Sequence, residues 1–447
     1  MLCGMKIHSN KSTEMHQKLL GLVILLMLPQ SHLGLLRAQN TFEFSPEPIS
    51  YQLTTGDNAI TDLQRQLQAG KASLKFDSKR GYLDSVMQLL SIPANTQALV
   101  YSKTSLQLRP ISPTNPRALY YNDEVYLGWV PGGDKLEVIV SDKSLGAVFY
   151  TLKQEPSETP RFQRDRGECL QCHANRRTHG VPGPLVRSLY TTASGQPIYN
   201  FGNYLSDHTS PFRQRWGGYY VTGLHGTMQH MGNLFVDPQG EFKAIDYSRG
   251  ANQSELLPRV NRSVYPSDSS DIVALMVLQH QTQMQNLLTK AIYEEVLANH
   301  YDKTFSLDSE NGSDFSQRRI ATSVENLLAY MFFVDEFPLT SVIQGTGTFT
   351  HDFSNRMPST NSGKSLYQLN LKSRMFQFPL SYMVYSSSFE QLGPKTRALF
   401  NDRIQQILKD EPIGNDGETY RHLTPSLKTA IRDILSETHP TLGPLFN

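Results

Sequence analysis

The five residues Cys169-Leu170-Gln171-Cys172-His173 constrain this chain more than any other stretch of its sequence. They contain two of the 3 cysteines among 447 residues, and the residue frequencies give a chance Cys-x-x-Cys-His match in roughly one of two thousand such chains. Two thiols at this spacing can add to the two vinyl groups of one porphyrin, and the adjacent histidine can then reach the iron. The pattern predicts one covalently attached haem c on Cys169 and Cys172, with His173 as an iron ligand.

Two other uses of the cysteines compete with this interpretation. A zinc site would combine them with His173 or His179 and a distant histidine, but structural zinc sites usually have further Cys or His pairs at tight spacing. A thioredoxin-like redox pair would follow a strand and precede a helix. The residues at 154–168 form a polar, proline-bearing stretch that is typical of a linker. Haem c is therefore the preferred interpretation.

Residues 1–38 have the features of a secretory signal peptide. Lys11 and Lys18 precede an apolar run at 19–28, which is too short to span a bilayer. We expect cleavage after Ala38, with an uncleaved anchor over 19–36 as the alternative. Export to the periplasm agrees with the haem prediction, because thioether attachment takes place outside the cytoplasm.

Composition excludes several classes of partner. Lysine plus arginine is 42 and aspartate plus glutamate is 41, which argues against a nucleic acid and against a polybasic membrane patch. Cys3 belongs to the predicted signal peptide, so the mature chain keeps only two cysteines and is no disulfide-stapled scaffold. We expect no integral membrane span in the mature chain.

The pattern along the chain predicts an α+β fold in three regions. Residues 41–153 are predicted to form an N-terminal mixed α/β domain, 154–265 a strand-rich haem c region, and 266–447 a mainly helical domain. Helices are predicted in the first region at 58–70 and 81–93. β-Branched and aromatic runs predict strands at 71–77, 97–103, 124–130, 135–142 and 146–154.

The loop that follows the haem motif contains the first candidates for the sixth iron ligand. His225, Met228, His230 and Met231 lie within seven residues, and His230 is the preferred ligand, with Met231 second. Propionate partners are sought among nearby arginines, since a guanidinium binds carboxylates bidentately. These candidates are Arg176, Arg177, Arg187, Arg213 and Arg215.

The long helix predicted from about 267 to 300 supplies an alternative. Apolar residues recur there at spacings of three and four, and the same stripe contains His280 and Met284. These two side chains are predicted to be buried, either as core residues or as distal haem ligands. Further helices are predicted at 315–337, 394–410 and 424–438, with a long polar loop at 340–363.

Several segments together resemble a family of exported bacterial proteins that carry one cytochrome c motif and have no assigned activity. They are GYLDSVMQLLSIP, SKTSLQLRPISPTNPRALYYNDEVYLGWV, CLQCH, RWGGYYVTGLHGTMQHMGN and DIVALMVLQHQTQMQNLL. The resemblance implies haem c on Cys169 and Cys172 and iron ligation by His173, and it implies no substrate.

The expected function is one-electron transfer with an unidentified redox protein as partner. The alternative is a haem enzyme or a gas or peroxide sensor with an open distal site. A small electron carrier needs about 100 residues, and the greater length of this chain suggests a larger task.

Overall fold

Alternating apolar and β-branched runs form one antiparallel sheet, in which each strand pairs with its neighbour in sequence. The six strands are β1 (Ala98–Val100), β2 (Arg117–Tyr121), β3 (Val125–Trp129), β4 (Lys135–Asp142), β5 (Gly146–Lys153) and β6 (Phe162–Arg164). Four of them lie where strands were predicted, whereas β2 and β6 were not anticipated. The strand predicted at 71–77 is wrong, because these residues lie in an irregular segment before the second helix.

The computed structural model describes residues 42–239, 245–307, 312–409 and 416–447. The predicted signal peptide, residues 1–38, lies outside these ranges. Within them, no helix has both the length and the apolar composition needed to cross a membrane.

Most of the helices in the described ranges lie in the second half of the chain. The described ranges contain α1 (Ala59–Gln68), α2 (Leu83–Leu89), α3 (Leu170–His173), α4 (Ile272–Thr304), α5 (Asp314–Met331), α6 (Phe349–Ser354), α7 (Ser387–Glu390), α8 (Pro394–Leu408), α9 (Asp416–Thr419) and α10 (Pro425–Thr438). Side-chain caps explain two of the predicted starts. Asn58 accepts from the amides of Ile60 and Thr61 and so begins α1, and Asp271 accepts from Val273 and Ala274 at the start of α4.

Helix α4 is the centre of the fold. Every residue from Ile272 to Thr289 is buried, so the helix is covered on all sides and not only along the predicted apolar stripe. Its glutamine and asparagine side chains are buried with the apolar ones, and these amides form hydrogen bonds to the surrounding segments.

Tyrosines of the sheet bind directly to α4. The Tyr121 hydroxyl donates to the carbonyl of Ala274 at 2.6 Å, and the Tyr126 hydroxyl donates to Gln285 Oε1 at 2.7 Å. Tyr126 also accepts from Gln281 Nε2 at 2.9 Å. Because the sheet's inner face is buried by a helix from the C-terminal half, Phe44–Asn447 is one compact unit. From Phe44 onward, the three predicted regions all lie within this one unit.

The region at 154–265 contains fewer strands than its sequence suggested. Besides β6 and the short helix α3 it has β7 (Arg187–Leu189) and β8 (Asn203–Leu205), which pair antiparallel, and the rest of its described part is irregular or 3₁₀-helical. The α+β class is confirmed, but the strand-rich middle region is not observed. The predicted loop at 340–363 contains the short helix α6.

The contact between sheet and helix predicts the effect of Tyr126→Phe. This change leaves the amides of Gln281 and Gln285 buried with one partner fewer, which should lower the free energy of unfolding by about 1–3 kcal/mol. Tyr199→Phe is the control, since Tyr199 is 58% exposed and should change stability by less than about 0.5 kcal/mol. Urea unfolding curves with equal midpoints for the two variants would contradict the assigned role of Tyr126.

Candidate functional site

The Cys-x-x-Cys-His segment is held at the end of β6 by a short-range cap. The Asp165 carboxylate accepts hydrogen bonds from the amides of Gly167 and Cys169, at 3.2 and 3.0 Å. The single turn α3 follows, in which the amide of His173 donates to the carbonyl of Cys169 at 2.9 Å. Leu170 is buried and fixes this turn on the core, whereas Cys169 is half-buried and Cys172 is exposed. Both cysteines are free thiols on one helical turn.

His173 is oriented by a backbone clamp. Its Nδ1 lies 2.9 Å from the carbonyl oxygen of Gly183, and the amide of Gly183 donates to the carbonyl of His173 at the same distance. Burial lowers the pKa of His173, so the ring is neutral, and the carbonyl contact fixes the proton on Nδ1. The Nε2 lone pair has no hydrogen-bond partner among the described residues. An Nδ1–H bound to a carbonyl with a free Nε2 is the usual arrangement of a histidine that ligates a metal.

The backbone clamp needs a glycine at position 183, because α4 lies too close to leave room for a side chain. A Cβ at this position would lie 1.8 Å from Asn286 Oδ1, and Asn286 Nδ2 donates to the neighbouring Pro184 carbonyl at 2.9 Å. The central helix thus places the carbonyl that orients His173. Sequence reasoning missed Gly183, although the run Pro182-Gly183-Pro184 signals a rigid turn.

A cavity of about 350 Å³ lies beside His173 and both cysteines. Its volume falls within the range of small-molecule and cofactor sites, about 300–1,000 Å³. The strand register places a set of side chains on one face of the sheet, and this face forms one wall of the cavity: Leu119, Tyr121, Tyr126, Gly128, Glu137, Ile139, Phe149 and Thr151. Phe149 also contacts the His173 ring, with 5.2 Å between centroids. The opposite wall includes Leu278 and Thr282 of α4 and residues 184–187.

The residues present fit a haem c group. Two free cysteines border an apolar cavity, and a neutral histidine beside them has an unoccupied Nε2. A flat, largely apolar wall of strand residues suits a planar porphyrin, whose carboxylates would need cations. Lys103, Arg117 and Arg187 line the same cavity.

Of the five arginines considered from the sequence, Arg187 lines this cavity and the other four do not. Arg215 is buried elsewhere and donates to the carbonyls of His208 and Ser210. Arg213 lies over the ring of Tyr247, 4.2 Å from its centroid. Arg117, which sequence reasoning did not consider, lies on the cavity wall as part of the unanticipated strand β2.

The preferred distal ligand, His230, does not line the cavity. It is buried in a separate cluster, where its ring centroid lies 4.6 Å from that of His225 and 5.4 Å from that of Trp216. Its Nδ1 accepts from the amide of Gly232 at 3.0 Å, and burial lowers its pKa to about 3. His225, Met228 and Met231 are likewise buried outside the cavity. The expectation that this loop covers the iron therefore needs correction.

The alternative ligands on α4 also face away from the cavity. His280 lies 2.8 Å from His208 between their Nδ1 atoms, and its Nε2 lies 2.8 Å from the Ser381 hydroxyl. Residues two apart on a helix point about 200° apart, so the face that presents Leu278 and Thr282 to the cavity turns His280 and Met284 to the opposite side. Among the described lining residues, His173 is the only histidine and there is no methionine.

The competing uses of the cysteines gain no support from the geometry. Burial, and next the Asp165 carboxylate, raise the pKa of Cys169, whereas a thioredoxin-like nucleophile needs a lowered pKa. His179 Nε2 lies 2.8 Å from Gln283 Nε2, so a side chain of α4 already contacts the nitrogen that a zinc ion would need. In the described part of the chain, no group of three or more His, Cys, Asp or Glu side chains is placed to hold a metal ion.

No protein-family model, no curated protein and no solved structure matches this chain.

Proposed function

We propose that this chain is an exported mono-haem c protein whose iron keeps an accessible distal position for a small ligand. One observation carries the proposal: the free Nε2 of His173 adjoins a largely apolar cavity that Cys169 and Cys172 border. When bound, haem c supplies an iron centre that can exchange single electrons and coordinate a small molecule. Covalent attachment implies a periplasmic location.

The protein's own residues have four tasks in this proposal. Cys169 and Cys172 would hold the haem through thioether bonds, His173 would ligate the iron, and Gly183 would keep the His173 proton on Nδ1. The strand residues on the cavity wall would exclude water from the group. Because α4 turns His280 and Met284 away, a distal side chain of the usual kind is missing from the described lining, and this favours a haem enzyme or sensor.

Electron transfer remains the second candidate function. Cys172 is exposed, so one edge of a group attached to it would lie close to solvent. An exposed edge allows outer-sphere electron exchange with a redox protein without any change at the distal position. Coordination of the iron distinguishes the two candidates, since an electron carrier is expected to have both axial positions filled.

Covalent haem is tested by co-expression with a periplasmic haem-attachment system. The wild-type chain should give a red protein whose colour survives acid-acetone extraction, and Cys169→Ser/Cys172→Ser should lose it because no thioether can form. Staining for covalent haem on a denaturing gel measures the difference. A colourless wild-type product that carries zinc would contradict the proposal.

The role of His173 is tested against a nearby histidine. His173→Ala should remove the proximal nitrogen and change the ligation of the iron, visible in the absorption spectrum. His179→Ala should leave that spectrum unchanged, because its Nε2 contacts Gln283 and not the cavity. Equal spectra for both variants would show that the motif does not ligate iron in the proposed way.

The distal position is tested with carbon monoxide. The reduced protein should bind carbon monoxide rapidly, and His230→Ala and His280→Ala should not change the rate, since neither side chain lines the cavity. Stopped-flow absorption gives the rate constants. Resistance of the wild type to carbon monoxide, together with fast binding by His230→Ala, would restore the six-coordinate electron carrier as the better function.

A further inference from the structure

An ion pair lies on the strand wall of the cavity. Arg117 of β2 and Glu137 of β4 face each other across β3, and Arg117 Nη1 is 3.2 Å from Glu137 Oε2. Both side chains line the cavity and are only about a fifth exposed, at 22% and 17%. Ion pairs in such a place are less screened than surface pairs and cost more to desolvate.

Gly128 provides the space in which the pair meets. A Cβ at this strand position would lie 3.0 Å from Arg117 Nε and 3.2 Å from Glu137 Oε2, which is tighter than ordinary contact. A glycine inside a strand marks a place where another group approaches the backbone closely. Here the approaching group is the guanidinium itself, which lies flat over β3 at the cavity wall.

The two partners differ in how completely they are satisfied. Glu137 Oε1 accepts from the Ser105 hydroxyl at 2.7 Å and from Gln107 Nε2 at 3.3 Å, so the carboxylate is fixed in place by three residues. Arg117 Nε is buried and has no hydrogen-bond partner in the described structure. Among the described residues, one guanidinium donor, Nε, is therefore left without a partner, whereas both oxygens of the Glu137 carboxylate already have partners.

We propose that Arg117 binds a carboxylate of the molecule that fills the cavity. This inference rests on the proposed function, in which that carboxylate is a haem propionate. Glu137 orients the guanidinium, and Gly128 leaves room for it. Arg187, the lining arginine considered from the sequence, is less available because its Nε donates to Asn203 Oδ1 at 2.7 Å and its guanidinium lies over Tyr199.

The inference is tested with porphyrins that differ only in their carboxylates. The Cys169→Ser/Cys172→Ser protein is titrated with ferric haem and with haem dimethyl ester, and absorption gives the two dissociation constants. Adding Arg117→Gln should weaken haem binding about tenfold or more and leave the ester unaffected, because a charge-assisted hydrogen bond is lost only with the carboxylate. Arg213→Gln is the matched control, since Arg213 lies outside the cavity, and it should change neither constant.

A second variant distinguishes the loss of a carboxylate contact from a structural effect of the Arg117 substitution. Arg117→Gln leaves Glu137 without its cation, whereas Arg117→Gln/Glu137→Gln removes both charges and should show the same selective loss for haem. Equal losses for haem and its ester in both variants would assign Arg117 a structural role and overturn the inference alone. If the double-serine protein bound neither porphyrin and the wild-type chain stayed colourless, the proposed function itself would fail and this inference with it.

Discussion

Burial of a polar helix against the inner face of the sheet is the interaction on which the other parts of this structure depend. An amide side chain removed from water must find partners, or it costs about 1–3 kcal/mol. Gln281 and Gln285 find theirs on the sheet, at Tyr126 and at the loop carbonyls of Asn122 and Asp123. These hydrogen bonds fix the position and the rotation of α4 relative to the strands. Apolar packing alone would specify that placement less strictly.

The same helix sets the geometry of the candidate site. Asn286 of α4 donates to the Pro184 carbonyl, and it lies so close to Gly183 that no side chain would fit there. These two contacts fix the position of the turn that orients His173 relative to α4. The rotation that brings Leu278 and Thr282 to the cavity also directs His280 into a cluster with His208 and Tyr330. One helix thus supports the turn that orients His173 and directs His280 away from the cavity.

The Cys-x-x-Cys-His motif and the long helices can be recognised in the sequence more readily than the residues that line the cavity. Asn58 and Asp271 mark helix starts with their own side chains, so local chemistry is enough to locate α1 and α4. The sheet wall depends on pairing: Gly128 and Phe149 become cavity residues only through the register of β3, β4 and β5. His230 was a reasonable ligand by proximity in sequence, but its ring packs on Trp216 in a cluster outside the cavity lining, and no local pattern encodes that choice.

Three buried hydroxyls of the cavity bear on which ligand the proposed haem could assist. Tyr121 donates to Ala274, Tyr126 donates to Gln285, and Thr282 donates to the carbonyl of Gln279, so all three donors are already committed to α4. Cleavage of a peroxide bond develops charge, and a site that promotes it places free donors or cations where that charge appears. A neutral diatomic ligand needs less of such assistance and is compatible with apolar surroundings. Within the proposed function, the three committed hydroxyls therefore give no such assistance, and any that the described lining offers would come from its cations Lys103, Arg117 and Arg187.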